Sequence, residues 1–423
     1  MLSGKEPDGS SKEEIQGSKL FSFFAQVWRQ SKPKKLSTIN IRLTIFRGLR
    51  YSFALLESVK QFMKDTSAPG SSDTEVSAQL AEEVIARFGG GLVENVEKLS
   101  GGASCETWSF DWLDDAGNTT GLILRRDLGK TGSTSEKGWR GGKTAYSLDR
   151  TTEAELQRVV YDAGGLVARV HFALPEDHKL GGCYVMDRIE GETLAPRILR
   201  DETFADARRS MAYQCGEILA KLHGIDSTTL PRGMVQVSAR ELIAQQREMM
   251  DGISDYYRDE TAVARPEYHP AFELTLRWLE QHCPKDATAG LVHGDFRNGN
   301  FVVGPEGIRA VLDWEIAHVG DGMEDLGWVC VRAWRFGQHQ NPVGGFGQRE
   351  DLFAAYENAG GRRVDPKVVH FWEVLGSLKW GIGCMFQTYK PISGLVDSFE
   401  HLAIGRRASE NEIDLLALLE ESP

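Results

Sequence analysis

The sequence predicts an α+β chain of two lobes, a small strand-rich lobe followed by a larger, mainly helical one. Three observations carry this. Short strand patterns broken by Gly- and Asn-containing turns occupy residues 92–125 and return at Cys183-Tyr184-Val185-Met186. Beyond Gly191 long helical patterns take over, as in Arg208–His223 and Pro270–His282. Only short apolar strands interrupt those helices, and they flank His293-Gly294-Asp295-Phe296-Arg297-Asn298-Gly299-Asn300. The divisions read from this pattern are an N-terminal extension over 1–75, a small lobe over 76–190 and a large lobe over 191–423.

The extension opens with a polar stretch too poor in bulky apolar groups to order itself. Phe46, Leu49, Phe53, Leu56, Val59 and Met63 then recur at helical spacing, with Arg47, Arg50, Lys60 and Lys64 between them. This is a basic amphipathic helix, expected to dock on the body of the protein. A membrane surface or partner contact through residues 21–63 is the other reading of a basic polar face. Ala68-Pro69-Gly70-Ser71-Ser72-Asp73 reads as a linker.

In the small lobe a helix over Ala78–Phe88 leads to a strand and the turn Ser100-Gly101-Gly102-Ala103-Ser104. A second strand follows through Thr107–Phe110, a hairpin signal at Asp114–Asn118, and a third strand at Gly121–Leu124. Residues 130–143, rich in Gly, Ser and Lys, read as an insertion before a helix over Thr152–Asp162.

Bulk properties narrow the function. The net charge of -12 argues against a nucleic-acid partner, because a polyanion would be repelled. The six cysteines are scattered without a C-x-x-C pair, which fits reduced thiols in a cytoplasmic protein. No apolar run approaches the roughly 18 residues a membrane span needs.

The chemistry concentrates around Asp295. An apolar strand, Leu291-Val292, feeds a turn holding Asp295 and Asn300, and Phe301-Val302-Val303 leaves it. The next apolar strand, Ala310-Val311-Leu312, ends in Asp313. Phosphoryl transfer needs such a set. One carboxylate orients the acceptor hydroxyl and takes its proton, while an amide oxygen and a second carboxylate hold magnesium on the phosphates. Small residues at Gly101, Gly102 and Ser104 would let backbone N–H groups approach those phosphates.

The pattern H-G-D-x-x-x-x-N, followed by L-D-W-E, resembles the catalytic and metal-binding loops of the aminoglycoside phosphotransferase and choline kinase superfamily. The resemblance implies a two-lobed, protein-kinase-like fold and an ATP- and magnesium-dependent transfer to a small-molecule hydroxyl. It makes Asp295 the catalytic base, Asn300 and Asp313 the magnesium ligands, and His293 a residue that positions the loop. It places Arg125 at the family's phosphate-gripping lysine, pairs it with Glu153 (or Glu155), and puts Met186–Arg188 at the hinge that meets adenine. Arg126 would be a solvated charge. Gly320–Leu326 is similar to the family's G-D-P-x-x-D-L, with Gly322 in place of the usual Pro. There Asp321 is expected as an N-cap and Asp325 as a brace of the catalytic loop. His223 is expected to be packed or hydrogen-bonded, and Trp334, Arg335 and Trp380 to line the acceptor site.

Longer stretches, among them L-S-G-G-A-S-x-E-T-W-S-F-D, V-R-A-W-R-F-G and D-L-G-W, are similar to phosphotransferases akin to the kinase part of fused acyl-CoA dehydrogenase family proteins. That resemblance spans about residues 76–420 and implies an acceptor hydroxyl on a hydroxyacyl thioester of coenzyme A. The competing expectation is a pseudokinase, a nucleotide-binding regulatory module, for which Arg125 in place of Lys is the support.

Overall fold

The computed structural model describes residues 71–99, 105–127, 147–259, 268–285, 289–395 and 399–421. The amphipathic segment within 21–63, Gly101, Gly102, Ser104 and the insertion over 130–143 lie outside the described residues.

Helix α1 (Ser71–Phe88) begins earlier than its sequence pattern suggests. Val76, one turn upstream of Leu80 and Val84, extends the apolar stripe and buries with them on the sheet, so the expected linker ends at Gly70. Strands β1 (Leu92–Leu99), β2 (Cys105–Leu113) and β3 (Thr119–Asp127) follow as an antiparallel meander. The β2–β3 turn is fixed by Asp114, whose Oδ1 accepts from Ala116 N at 2.9 Å and Asn118 N at 2.8 Å. After α2 (Arg150–Asp162) come β4 (Val170–Leu174) and β5 (Cys183–Asp187), giving a five-stranded sheet in the order β1-β2-β3-β5-β4. The sequence pattern did not reveal β4, which is a short edge strand.

Strand alternation sorts the small lobe. Leu122 and Leu124 face α1 with Trp108 and Phe110, whereas Ile123 packs with Ala154 of α2, Tyr184 and Met186. Arg125 has the parity of Ile123 and faces α2. Arg126 has the parity of Leu124, and its Nε lies 3.6 Å from Glu106 Oε2. It is therefore a mostly buried, paired residue and not a solvated charge.

The large lobe opens with the short α3 (Ala195–Ile198), then α4 (Ala205–His223), α5 (Ala239–Asp259) and α6 (Pro270–His282). Two small hairpins interrupt the helices. Strand β6 (Ala289–Val292) pairs with β9 (His318–Asp321), and β7 (Phe301–Gly304) with β8 (Gly307–Val311), both antiparallel. Helices α7 (Met323–Trp328), α8 (Arg349–Asn358), α9 (Pro366–Ile392), α10 (Phe399–Gly405) and α11 (Ala408–Glu420) complete the order. Asp365 caps α9 by accepting from Lys367 N at 2.9 Å, and Pro366 takes the first helical position. One apolar core joins α4, α5, α6, α8 and α9 to the two hairpins. Among the described residues no helix is long and apolar enough to cross a membrane. All six cysteines are free thiols.

Candidate active site

The loop from β6 to β7 carries His293–Asn300, and Asp313 stands just past β8. Gly294 starts the turn with φ of 80°, and a Cβ there would come 2.7 Å from Ile316 O, so only glycine fits. Asp325 of α7, fully buried, holds this turn. Its two carboxylate oxygens accept from His293 N at 2.8 Å and Gly294 N at 2.9 Å. His223 Nε2 approaches the same carboxylate at 3.2 Å while its Nδ1 meets Tyr356 Oη at 3.0 Å. Burial opposes ionisation of Asp325, but His223, His293 and the backbone donor more than reverse this and hold its pKa below the usual carboxylate value.

His293 has a defined tautomer. Its Nδ1 accepts from Asp295 N at 3.1 Å, so Nε2 must carry the proton donated to Leu312 O at 3.1 Å. Burial lowers its pKa and keeps the ring neutral. The residue ties the Asp295 turn to the strand end that precedes Asp313.

Asp295 Oδ1 accepts from Arg297 Nε and Trp328 Nε1, each at 2.9 Å. Asn300 Nδ2 donates to Asp295 Oδ2 at 2.6 Å and to Asp295 O at 2.9 Å. Those two bonds orient the amide and leave Asn300 Oδ1 without a partner among the described residues. Asp313 sits in the left-handed region, φ 68°, a conformation that Asp tolerates better than most residues. Its Oδ1 accepts from Arg125 Nη2 at 2.8 Å, and Oδ2 has no hydrogen bond among the described residues. Burial would raise the Asp313 pKa, yet Arg125 keeps it below the ordinary value. The chemistry of this donor set suits magnesium: two hard oxygens face one cleft, and nucleotide phosphates with water can supply the remainder.

On the small-lobe side Arg125 Nη1 lies 3.7 Å from Glu153 Oε1. The nearer cation to Glu153 is Arg150, whose Nη1 bonds Glu153 Oε2, and Tyr184 Oη donates to Oε1 at 2.8 Å. Arg150 also reaches Asp127 at 2.8 Å and Glu315 at 3.1 Å. Glu155 is exposed on the other side of α2. Met186 is buried in β5, and Arg188 N, just past that strand, already donates to Gly121 O at 2.9 Å.

Three expectations change. Gly322, not Asp321, occupies the N-cap position of α7, and its φ is ordinary for a helix start. A Cβ there would come 2.4 Å from His223 Nδ1, so the missing side chain makes room for the imidazole. Asp321 instead binds Arg362 and accepts from Trp372 Nε1 at 3.1 Å and Met323 N at 3.1 Å. Arg335 turns away from the cleft, donating to Cys330 O at 2.7 Å and Glu373 Oε1 at 2.8 Å. Trp334 and Trp380 do adjoin the catalytic loop, in a row with Trp328 at centroid spacings of 5.4 and 4.8 Å. Arg297 stacks over Trp334 at 4.5 Å and Lys379 over Trp328 at 4.8 Å.

Trp328, Lys379 and Arg150 were not singled out from the sequence for these contacts. Trp328 and Lys379 occur in D-L-G-W and K-W-G, but a tryptophan after a helix start carries no mark of an indole aimed at a carboxylate.

Residues 95–366 match the model of the phosphotransferase enzyme family, APH. The chain belongs to this family. As a phosphotransferase of that kind it falls among small-molecule kinases, with the kinase-like fold described above. It is 30% identical over 190 residues to acyl-CoA dehydrogenase family member 11 of Homo sapiens, covering 43% of this chain and 22% of that protein. To member 10 of Mus musculus it is 26% identical over 196 residues, 44% of this chain and 17% of that protein. The phosphotransferase thus spans about a fifth of the length of the curated relatives it matches. Among solved structures it resembles an aminoglycoside phosphotransferase-like protein from Ralstonia eutropha JMP134, with TM-score 0.59, 20% identity, 83% of this chain and 99% of that one. A choline/ethanolamine kinase family protein from Mesorhizobium loti gives TM-score 0.51 at 20% identity, with 82% and 95% covered. At such identities these two speak for the fold alone.

Proposed function

We propose that this phosphotransferase moves the γ-phosphoryl group of ATP, with magnesium, to a hydroxyl of a small molecule. The observation that carries the reading is the convergence of Asp295, Asn300 Oδ1 and Asp313 from two hairpins at one cleft, opposite Arg125. Asp295 is the base. Arg297, Trp328 and Asn300 fix its carboxylate, and Oδ2 keeps a lone pair for an acceptor hydroxyl. Asn300 and Asp313 would hold magnesium, which when bound neutralises phosphate charge. Arg125 grips the phosphates, with Glu153 and Arg150 keeping it in place. Gly101, Gly102 and Ser104 complete the phosphate cradle, and the chain around Met186 meets the base. The similarity to acyl-CoA dehydrogenase family members makes a hydroxyacyl thioester of coenzyme A the first acceptor to try.

The test is ADP release against a panel of hydroxyacyl-CoAs, amino alcohols, sugars and aminoglycosides, with Asp295→Ala beside the wild type. Turnover on one acceptor that Asp295→Ala abolishes, with nucleotide binding retained, supports the assignment. An Asp295→Ala enzyme working at the wild-type rate sinks it.

One observation favours the pseudokinase reading: Arg125 and Asp313 neutralise each other, so the pair has to part before Asp313 can serve a metal. Magnesium-dependent ATP binding with no turnover across the panel would decide for that reading.

A further inference from the structure

Helix α9 passes the catalytic loop and continues beyond it. Lys379, on the near part, donates to Gly294 O at 3.3 Å and lies 3.5 Å from Glu324. Lys390 is eleven residues further on, ~16 Å along the axis and only ~20° around it, hence on the same face. It is half-buried, yet its ammonium has no hydrogen bond or ion pair among the described residues. Its ring contact is Phe386, 5.1 Å below the nitrogen. A cation withdrawn from water without a partner is costly unless an anion joins it. Burial lowers the Lys390 pKa, and the acid whose field opposes this is Glu315, which Arg150 already binds at 3.1 Å.

The neighbourhood supplies further unspent polar groups. Gln387 Oε1 and His401 Nδ1 are buried without a partner. Helix α10 packs tightly on α9 there: a Cβ at Gly405 would overlap Thr388 Oγ1, and His401 stands one turn before Gly405. Burial, with Lys390 adding to it, holds the His401 ring below its ordinary pKa. Glu400 is the acid that opposes this shift, and it is exposed.

We propose that Lys390 and His401 form an oxyanion-binding subsite on α9 and α10, at the end of the acceptor cleft remote from Asp295. Assigning the oxyanion to the acceptor rests on the phosphotransferase reading. On that footing the acceptor is an elongated molecule with a phosphate or carboxylate on the order of 15 Å from the reacting hydroxyl. The subsite acts as a ruler: an alcohol lacking the anion loses an anchor and is a poor substrate.

The experiment is a titration of the full chain, saturated with a non-hydrolysable ATP analogue to block the nucleotide site, with inorganic phosphate and, separately, succinate. The His401 ring resonance is followed by NMR. At least one anion is expected to shift it saturably in the wild type and in Lys390→Arg. Lys390→Met should bind that anion at least ten-fold more weakly, with an unchanged melting temperature as the check on folding. The anion that binds distinguishes a phosphate from a carboxylate source. No saturable shift with either anion, or equal affinity in Lys390→Met, overturns the subsite. The titration involves no turnover, so failure of the Asp295 assignment would leave its outcome standing, and the reverse holds too.

Discussion

Arg125 Nη2 and Asp313 Oδ1 are 2.8 Å apart, although they come from different lobes and are 188 positions apart in sequence. The residue placed to grip phosphate thus clasps the residue placed to hold metal. Nucleotide with magnesium has to exchange this one contact for two, phosphate on Arg125 and metal on Asp313. Arg125→Lys keeps the charge but cannot span Glu153 and Asp313 together. It is expected to lose about ten-fold in kcat/KM for ATP, and Arg125→Met roughly a hundred-fold or more. Steady-state kinetics with varied ATP decide this; Arg125→Met at the wild-type value would remove Arg125 from the site.

Chelation should stop turnover, and added magnesium should restore it. In Asp313→Asn the magnesium concentration for half-maximal rate should rise at least ten-fold, since one anionic oxygen ligand is gone. A magnesium titration of both proteins reads this directly. An unchanged midpoint would put the metal elsewhere.

The Asp325 carboxylate should make stability depend on acid. Its folded pKa is below the ordinary carboxylate value of 3.8, so the unfolded chain binds the proton more readily. The stabilisation is complete above that ordinary value and is lost as pH falls through the lower folded one. Asp325→Asn should be less stable at neutral pH by about 2–4 kcal/mol, because an amide cannot accept from both loop amides and His223 alike. Denaturant midpoints at pH 7 and pH 3 for both proteins test this, and the gap between them should narrow in acid.

Gly322→Pro, which restores the residue usual in the related motif, should destabilise the protein by about 1–3 kcal/mol, because the new carbon would meet the His223 ring. The same change on a His223→Ala background should cost less. A double-mutant cycle by thermal melting isolates the coupling; additive effects would show that Gly322 is not there for the imidazole.

Much of this was legible in one dimension. The loop motif and the strand ending in Asp313 mark the chemistry, because those residues lie within 20 positions of one another. Alternation in Leu122-Ile123-Leu124-Arg125-Arg126 already places Arg125 on the side of Ile123. What could not be read is convergence from afar. Arg150 meets Glu315 across 165 positions, and Trp328 meets Asp295 across 33. Asp321 looks like a helix cap until Arg362 and Trp372 arrive 41 and 51 residues later. Such pairings depend on helix packing, which leaves no local periodicity.

The grip of Asp325 on His293 N and Gly294 N has a dynamic side. Through His223 and Tyr356 the catalytic turn is tethered to α4, α7 and α8 together, so it cannot open without disturbing the floor of the large lobe. Those two amide protons should therefore exchange with solvent only on the timescale of unfolding that lobe. The turn is an immobile anvil, and whatever closes on it must be carried by the sheet that bears Arg125.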